Sequence, residues 1–519
     1  MEPGKADGEG QDGAGVPGRA MVTVALLLAM TVTAMEQMVV STAMPTIIAK
    51  LHGFDIYPWV ISAYLLAATV STPLYGKLAD LLGRKRVLLF GLGLFSLGSI
   101  LSGTSRSMPM LIAMRTIQGL GAGAVGPIVL TLLGDLFTLR ERARVQGWFS
   151  AVWGLSSIAG PAIGGVITDR LDWPWVFYVS VPFAALAAFI LIEFFHEPAV
   201  HKAVPPLDWA GAGLLTAGTT ALLLTILNGP HQPLAANAAL GVGALVLLAM
   251  FVRREHRAAD PILPMDLMAR PTILAAVVGS GLIGGILFGL DTFVPLFVQG
   301  VRGGSATLAG RALTPLFLAW AVSVVVAAKV VLHYGFRLAG VAGSGLIAAG
   351  TLALLAGAWY PASSAWLFAV GMVIIGLGMG PTSLSYILAV QHSVQWGQRG
   401  VATGAVTFTR TIGGALGVGL LGALLGWELS RRLAARGTVG IDVTAALRPE
   451  THSRLAADQL RLVQASLGAS IADVFLLMVV LGIGCLACSC WLPRDHGQPV
   501  AAGEPAAEDE GLAVAASEL

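Results

Sequence analysis

Four ionisable side chains fall well inside long apolar runs of the chain: Glu36, Arg115, Asp291 and Arg410. Each would cost about 2.5–3.5 kcal/mol at the centre of a bilayer on insertion scales, so such a residue is tolerated where it faces a bundle interior, a wet cavity or a partner of opposite sign. An acid in that position can carry a proton or hold a cation, because withdrawal from water disfavours its charged form. An arginine does not give up its proton in a protein, so its work is to tune or gate a neighbouring acid. Glu36 therefore reads either as a proton carrier or substrate-cation site, or as a fixed ion pair with Arg115. Arg115 reads as the group that tunes such an acid, with helix packing through backbone carbonyls as the alternative. Asp291 reads as a second cavity acid or as a residue near the outer lip. The role of Arg410 stays open between function and packing.

The elements that must position these groups are membrane helices. The 519 residues are 56% hydrophobic and only 12% charged, about half the charge of an ordinary soluble domain, and the mean hydropathy is +0.79. Fourteen apolar runs, from 21–44 to 469–492, are long enough to cross a hydrocarbon core of about 30 Å. Backbone facing lipid must satisfy its own hydrogen bonds, so the runs are predicted to be helices. The 65 glycines suit close helix packing in lipid. An even number of crossings puts both termini on one side. Lys and Arg crowd the loops of that side, while the short loops opposite carry Lys50, Arg106, Arg170, Arg302 and Arg311, so the termini are expected in the cytoplasm. No signal peptide is expected from residues 1–20. Cys485, Cys488 and Cys490 fall in the last run and are expected to act as small buried hydrophobes rather than metal ligands.

The chain also repeats itself. Gly119-Leu120-Gly121-Ala122-Gly123 returns 257 residues later as Gly376-Leu377-Gly378-Met379-Gly380, and Arg142 and Gly147 return at the same offset as Arg399 and Gly404. Ala328-Lys329 and Gly335 echo Gly76-Lys77 and Gly83, and Glu36 falls on Asp291. Two related halves follow. The expected division is a cytoplasmic tail at 1–20 and a six-helix bundle at 21–195. Two inserted helices then occupy 196–271, and a second six-helix bundle spans 272–493 with an outer loop at 427–468. A tail from 494 to 519 ends the chain. Helical content is expected around 455–467. The second half keeps no counterpart of the polar pair, since Met372 and Ile375 stand at the positions of Arg115 and Gln118.

Gly76-Lys77-Leu78-Ala79-Asp80-Leu81-Leu82-Gly83-Arg84-Lys85 resembles the signature loop of the major facilitator superfamily. Residues 34–45, Ala-Met-Glu-Gln-Met-Val-Val-Ser-Thr-Ala-Met-Pro, resemble the first-helix motif of its fourteen-helix drug:proton antiporters (the EmrB/QacA type), with Glu36 where Asp is usual and Met44 where Leu is usual. Arg115-Thr116-Ile117-Gln118-Gly119 is similar to the family's fourth-helix motif, which implies that Arg115 and Gln118 belong with Glu36 and Asp291 to the proton- and substrate-binding set. Gly160-Pro161-Ala162-Ile163-Gly164-Gly165 resembles the motif associated with antiporters, although Ser156 replaces a usual Gly. The resemblance implies an all-α membrane fold of two six-helix bundles plus two inserted helices. It also implies a cytoplasmic latch built from Gly76, Asp80, Gly83 and Arg84 with Asp135 and Arg142 or Arg144. Leu332 stands where the second half would need the latch acid, so that side is not expected to be latched alike.

The resulting expectation is a proton-coupled exporter of hydrophobic compounds, with cations among the candidates, or alternatively an exporter of a single native metabolite, siderophore or lipid. The Gly-Pro-x-x-Gly-Gly core disfavours uptake, and the acid and arginine set disfavours a mere sensor or scaffold. No phosphate-binding loop ends in Gly-Lys-Ser/Thr, so ATP hydrolysis is not expected. Neither enzymatic activity, a metal nor a cofactor is expected. The expected partners are small molecules, protons and membrane lipid, without nucleic acid; accessory export partners are not specified by the sequence.

Overall fold

The computed structural model describes residues 19–137, 139–197, 208–228, 233–258, 261, 265–359, 364–394, 399–436 and 457–494. Among them all regular structure is helical. The first half contains α1 (Arg19–Leu51), α2 (Pro58–Leu82), α3 (Arg84–Gly103), α4 (Met108–Leu136) and α5 (Leu139–Arg170). Its last crossing is made by the short α6 (Trp175–Tyr178) running into α7 (Ser180–Phe194). The inserted pair is α8 (Trp209–Asn228) and α9 (Leu234–Glu255). A short α10 (Met265–Met268) leads into the second half, which comprises α11 (Pro271–Leu296), α12 (Ala306–Trp359), α13 (Ser364–His392), α14 (Arg399–Ala435) and α15 (Ala457–Cys490).

Eleven of these elements are long and apolar enough to span a bilayer. One of them, α12, is 54 residues long and bends at Gly335, whose φ of 82° and ψ of 167° leave helical space. Only glycine takes that backbone conformation readily, so two crossings, expected at 308–332 and 338–359, run through a single sharp corner. Counted with α2, α5 and both arms of α12, the crossings among the described residues number fourteen, and the protein is a multi-pass membrane protein. Prolines open α2 and α11 at the first helical turn, where their missing N–H costs nothing. Ser107 caps α4 by accepting from the Met110 N–H at 3.4 Å.

The packing of the two halves repeats. Helix α1 lies against α5 and α7, as α11 lies against α14 and α15; α4 lies against α2 and α3, as α13 lies against the two arms of α12. The glycine repeat explains the last correspondence. A methyl at Gly119 would overlap the backbone of Tyr64 in α2, and one at Gly376 the backbone of Leu316 in the first arm of α12. A methyl at Gly121 would strike α3 at Phe95, and one at Gly378 the second arm at Gly343. Hairpin α8–α9 packs through α8 on both α2 and α14, one helix from each half.

Two boundaries differ from the sequence reading. Helix α14 continues to Ala435 and α15 begins at Ala457, so the helices project well beyond 426 and 469. Charge pairs support the projection: Glu428 bridges Arg431 at 2.7 Å and Arg432 at 3.4 Å, and Arg432 reaches across to Asp473. Helical content around 455–467 is thus the start of α15 rather than a separate element. Of the cysteines only Cys485 is buried; Cys488 is half-buried and Cys490 exposed, because they lie away from the packed face of α15, which Cys485 shares with the buried Ser489. The tails at 1–18 and 495–519, and residues 437–456 of the outer loop, lie outside the described residues.

Candidate functional site

The face where α1 begins is called terminal below, and the face where it ends distal. Glu36 lies 17 residues into α1, about 25 Å along its axis. Arg115 lies in the second turn of α4, which starts from the distal face. The two meet as a buried pair: the guanidinium Nη1 donates to Glu36 Oε1 at 2.7 Å, with both side chains almost fully enclosed. The same nitrogen donates to Gln118 Oε1 at 2.6 Å, and Arg115 Nε donates to the Val60 carbonyl at 3.3 Å. The Tyr64 ring lies 4.1 Å from the guanidinium carbon, a cation–π contact that strengthens when desolvated.

The network continues through residues that sequence reasoning missed. Gln118 Nε2 donates to Ser99 Oγ at 3.0 Å, and Ser99 lies 3.2 Å from Ser180 Oγ. Helices α1, α4, α3 and α7 are thereby tied by one polar chain through the first half. Nothing distinguishes these serines in the sequence, since a hydroxyl in an apolar run reads as ordinary packing.

Asp291 is also buried, but in a different setting. It lies on α11 across the boundary between the halves, lining a cavity with Gln37, Val40, Tyr64, Arg115 and Phe288. Its Oδ1 is buried without a hydrogen-bond partner. Glu36 is not on that wall; it stands behind Arg115, with Oε2 likewise unpartnered. The guanidinium of Arg115 therefore separates the two acids, bonded to one and facing the same cavity as the other.

The antiporter-like motif forms two seams. Gly160 and Gly164 abut α1 at Met38 and Val39, while Gly165 abuts Ala306 and Thr307 at the start of α12 in the other half. A side chain at any of them would meet backbone or Cβ atoms, which explains a glycine there through close approach. Pro161 presents its carbonyl to Gly310 of α12. Just beyond the motif, Asp169 accepts from the N–H groups of Ala306 at 3.1 Å and Thr307 at 2.9 Å, and from the Thr307 hydroxyl at 2.6 Å. A carboxylate of one half thus caps a helix of the other, where free N–H groups and the helix dipole favour negative charge.

Other cross-half hydrogen bonds lie in the same distal part of the molecule. Gln299 Nε2 donates to the Thr42 carbonyl at 2.9 Å, and Ser62 Oγ donates to the Ala415 carbonyl at 2.9 Å. Gln299 sits in a π-helical turn, Phe297–Val301, that continues α11. Among the described residues no hydrogen bond joins the halves toward the terminal face.

At the signature loop, Gly83 has φ 93° and separates α2 from α3, a conformation that favours glycine. The start of α3 is held by Glu197, whose carboxylate accepts from the N–H groups of Arg84 at 2.8 Å and Lys85 at 2.9 Å. Lys85 Nζ returns the contact to the carbonyls of Ile192 and Phe195 at the end of α7. Two helix ends of opposite polarity are capped reciprocally, and Glu197 carries no local sequence signal for this role. Gly76 lies in the penultimate part of α2 with open space beside it. The side chains of Asp80, Asp135, Arg142 and Arg144, the remaining residues of the expected latch, lie outside the described set.

Comparison with known proteins agrees with this architecture. A family model of the Major Facilitator Superfamily matches residues 26–418. The chain is 36% identical over 414 residues to the multidrug transporter protein MdtP of Bacillus subtilis, covering 78% of this chain and 75% of that protein. It is 33% identical over 476 residues to multidrug resistance protein 3 of the same species, covering 88% and 92%. Among solved structures, a bacterial homologue of the human lysosomal transporter Spinster, inward-facing and unoccupied, superposes with a TM-score of 0.69 at 16% identity, over 93% of this chain and 99% of that one. With its fourteen helical crossings, repeated halves and matched family pattern, the chain belongs to the Major Facilitator Superfamily and is a membrane transporter rather than an enzyme.

Proposed function

We propose that the protein is a proton-coupled exporter of hydrophobic compounds, cations among them, working by alternating access in the cytoplasmic membrane of a bacterium with both termini inside. The relatives named as multidrug transporters support export of varied small molecules. The moving bodies in this reading are residues 21–195 and 272–493, with 196–271 inserted and carried on the seam between them. The conformation described here is closed at the distal face by Asp169, Gln299 and Ser62, the arrangement that rocking about the cavity would reverse.

The observation that carries the reading is Asp291. It is a buried acid on the cavity wall with an oxygen left unpartnered, so a proton and a cationic substrate would compete for it. Glu36, whose charge is already committed to Arg115, positions and tunes the guanidinium beside that acid. Proton entry down the membrane potential then supplies about 2.3 kcal/mol per charge for each 100 mV. Gly76, Gly83 and Arg84, together with Asp80, Asp135, Arg142 and Arg144, form the terminal-face latch in this scheme.

The test is proton flux in proteoliposomes with an imposed pH gradient, read on adding lipophilic cations. Wild type should release protons in response to substrate, Asp291→Asn should lose the response, and Glu36→Gln should weaken both transport and coupling. Unchanged coupling in Asp291→Asn would move the competing acid elsewhere. Transport without any proton response would overturn coupled antiport itself.

A further inference from the structure

The second arginine inside the membrane region is used differently from the first. Arg410 stands eleven residues into α14, about 16 Å along the axis from its terminal end, near the middle of a hydrocarbon core about 30 Å thick. Arg115 has an acid, an amide, a carbonyl and an aromatic ring around it. No acid, amide or carbonyl among the described residues takes a hydrogen bond from Arg410. The hydroxyls beside it are already committed to their own helix, Thr409 donating to the Ala405 carbonyl and Thr411 to that of Thr407. The acid on the same helix, Glu428, is five turns away and paired with Arg431 and Arg432.

The backbone contacts of α14 place Arg410, which is only half-buried. Its own carbonyl rests on Gly284 of α11. Gly414, one turn further along α14 and on the same face, abuts the ring of Phe288, and Phe288 lines the cavity that holds Asp291. Arg410 therefore lies one turn below that cavity on the side of the terminal face, where no hydrogen bond among the described residues closes the halves. Gly284 precedes Asp291 by seven residues, which puts the two charges about 10 Å apart along the helix axes.

We propose that Arg410 binds an acidic oxyanion group, carboxylate or phosphate, on an amphiphile. A guanidinium presents a planar fork of donors that matches such a group two bonds at a time. An uncompensated charge at this depth is costly, and a bound anion would satisfy it. The proposal rests on the transport reading above but not on proton coupling. It widens the substrate class from cations to anionic and zwitterionic amphiphiles.

The experiment is equilibrium binding, without any gradient, to purified protein in phosphatidylcholine nanodiscs. The probes are three dansyl-labelled alkyl chains that differ only in their head: carboxylate, neutral amide and primary amine. Wild type should bind the carboxylate more tightly than the amide. Arg410→Gln should weaken the carboxylate by about ten-fold or more and leave the amine unchanged, while Arg410→Lys should restore part of the loss. Equal binding of carboxylate and amide to wild type would overturn the proposal, as would a parallel loss of all three probes in Arg410→Gln with the protein still monodisperse. Repeating the titration with phosphatidylglycerol in the disc separates the two sources of the anion. Competition assigns the site to a lipid headgroup, and its absence assigns the site to the substrate. Neither outcome depends on whether transport is driven by protons.

Discussion

At matching places in the two halves, α4 carries Arg115 and Gln118 whereas α13 carries Met372 and Ile375, all four buried. The first half builds its polar chain from an ion pair, an amide and two serines, joining α1, α4, α3 and α7. Among the described residues the second half joins α13, α15 and α12 through hydroxyls, and α15 reaches α11 only through the Cys485 thiol, which donates to the Gly279 carbonyl. Tyr386 of α13 donates to the Cys485 carbonyl of α15 at 2.9 Å and lies 3.0 Å from Ser489, which in turn lies 3.1 Å from Ser344 of α12. By the repeat, Ser99 corresponds to Thr351, so the hydroxyl chain at Ser344 sits seven residues, about 10 Å, nearer the terminal face. The two halves share a backbone plan and differ in where they store charge. The first half pairs its buried acid with an arginine, while in the second neither Asp291 nor Arg410 forms an ion pair among the described residues. In the reading proposed here the first half sets the field and the second half meets the cargo.

The largest effect that would break this contrast concerns the two arginines. Arg115→Met leaves Glu36 buried and unpaired, and should cost about 3–5 kcal/mol of stability, read as thermal unfolding in detergent. Arg410→Met removes a charge with no described partner and should be neutral or stabilising. Equal losses in both would end the distinction between a structural and a cargo-facing arginine. A cycle with Glu36→Gln sharpens it further, since the double variant with Arg115→Met should be less destabilised than the sum of the singles.

Next comes the distal seam, where the first half caps the second. Asp169→Ala removes charged hydrogen bonds of about 1.5–3 kcal/mol each, so the balance should shift toward the distally open state by about ten-fold or more. Spin-label distances across the distal face would report it, and an unchanged distribution would remove Asp169 as a latch.

The repeated glycines test the plan that the halves share. Gly121→Ala and Gly378→Ala should each cost about 1–3 kcal/mol by overpacking, and by similar amounts. A large cost in one half with none in the other would show that their packing is not equivalent. The smallest effect is expected from Tyr386→Phe, about 1 kcal/mol for a neutral hydrogen bond, with transport of a lipophilic cation retained. Loss of transport there would give the hydroxyl chain a part in function.

Much of the architecture was legible from residue pattern. Apolar runs of fixed length must be helices in lipid, and the Gly119 and Gly376 repeats fall where α4 and α13 press on their neighbours. The signature loop gave away its turn through Gly83, whose positive φ the structure records. What pattern could not convey is who meets whom across large sequence distances. Glu197 and Asp169 look like ordinary acids at helix ends, and each becomes a cap only because another helix starts beside it. Ser99 and Ser180 look like small packing residues until Gln118 reaches them. The corner at Gly335 was visible as a glycine, but not that the helices either side of it would run on without a loop.

By itself the sequence determined that the chain crosses a membrane many times as helices, that it is built twice, and that a few charges are held inside at a cost. These follow from local composition and spacing, because burial in lipid is decided segment by segment. Only the tertiary structure decided how those charges are spent. It bonded Arg115 to Glu36, set Asp291 on the wall of the same cavity as Arg115, and brought Asp169 to the start of α12. Such outcomes depend on which helix faces touch, and that is fixed by the packing of all the helices together rather than by any one of them.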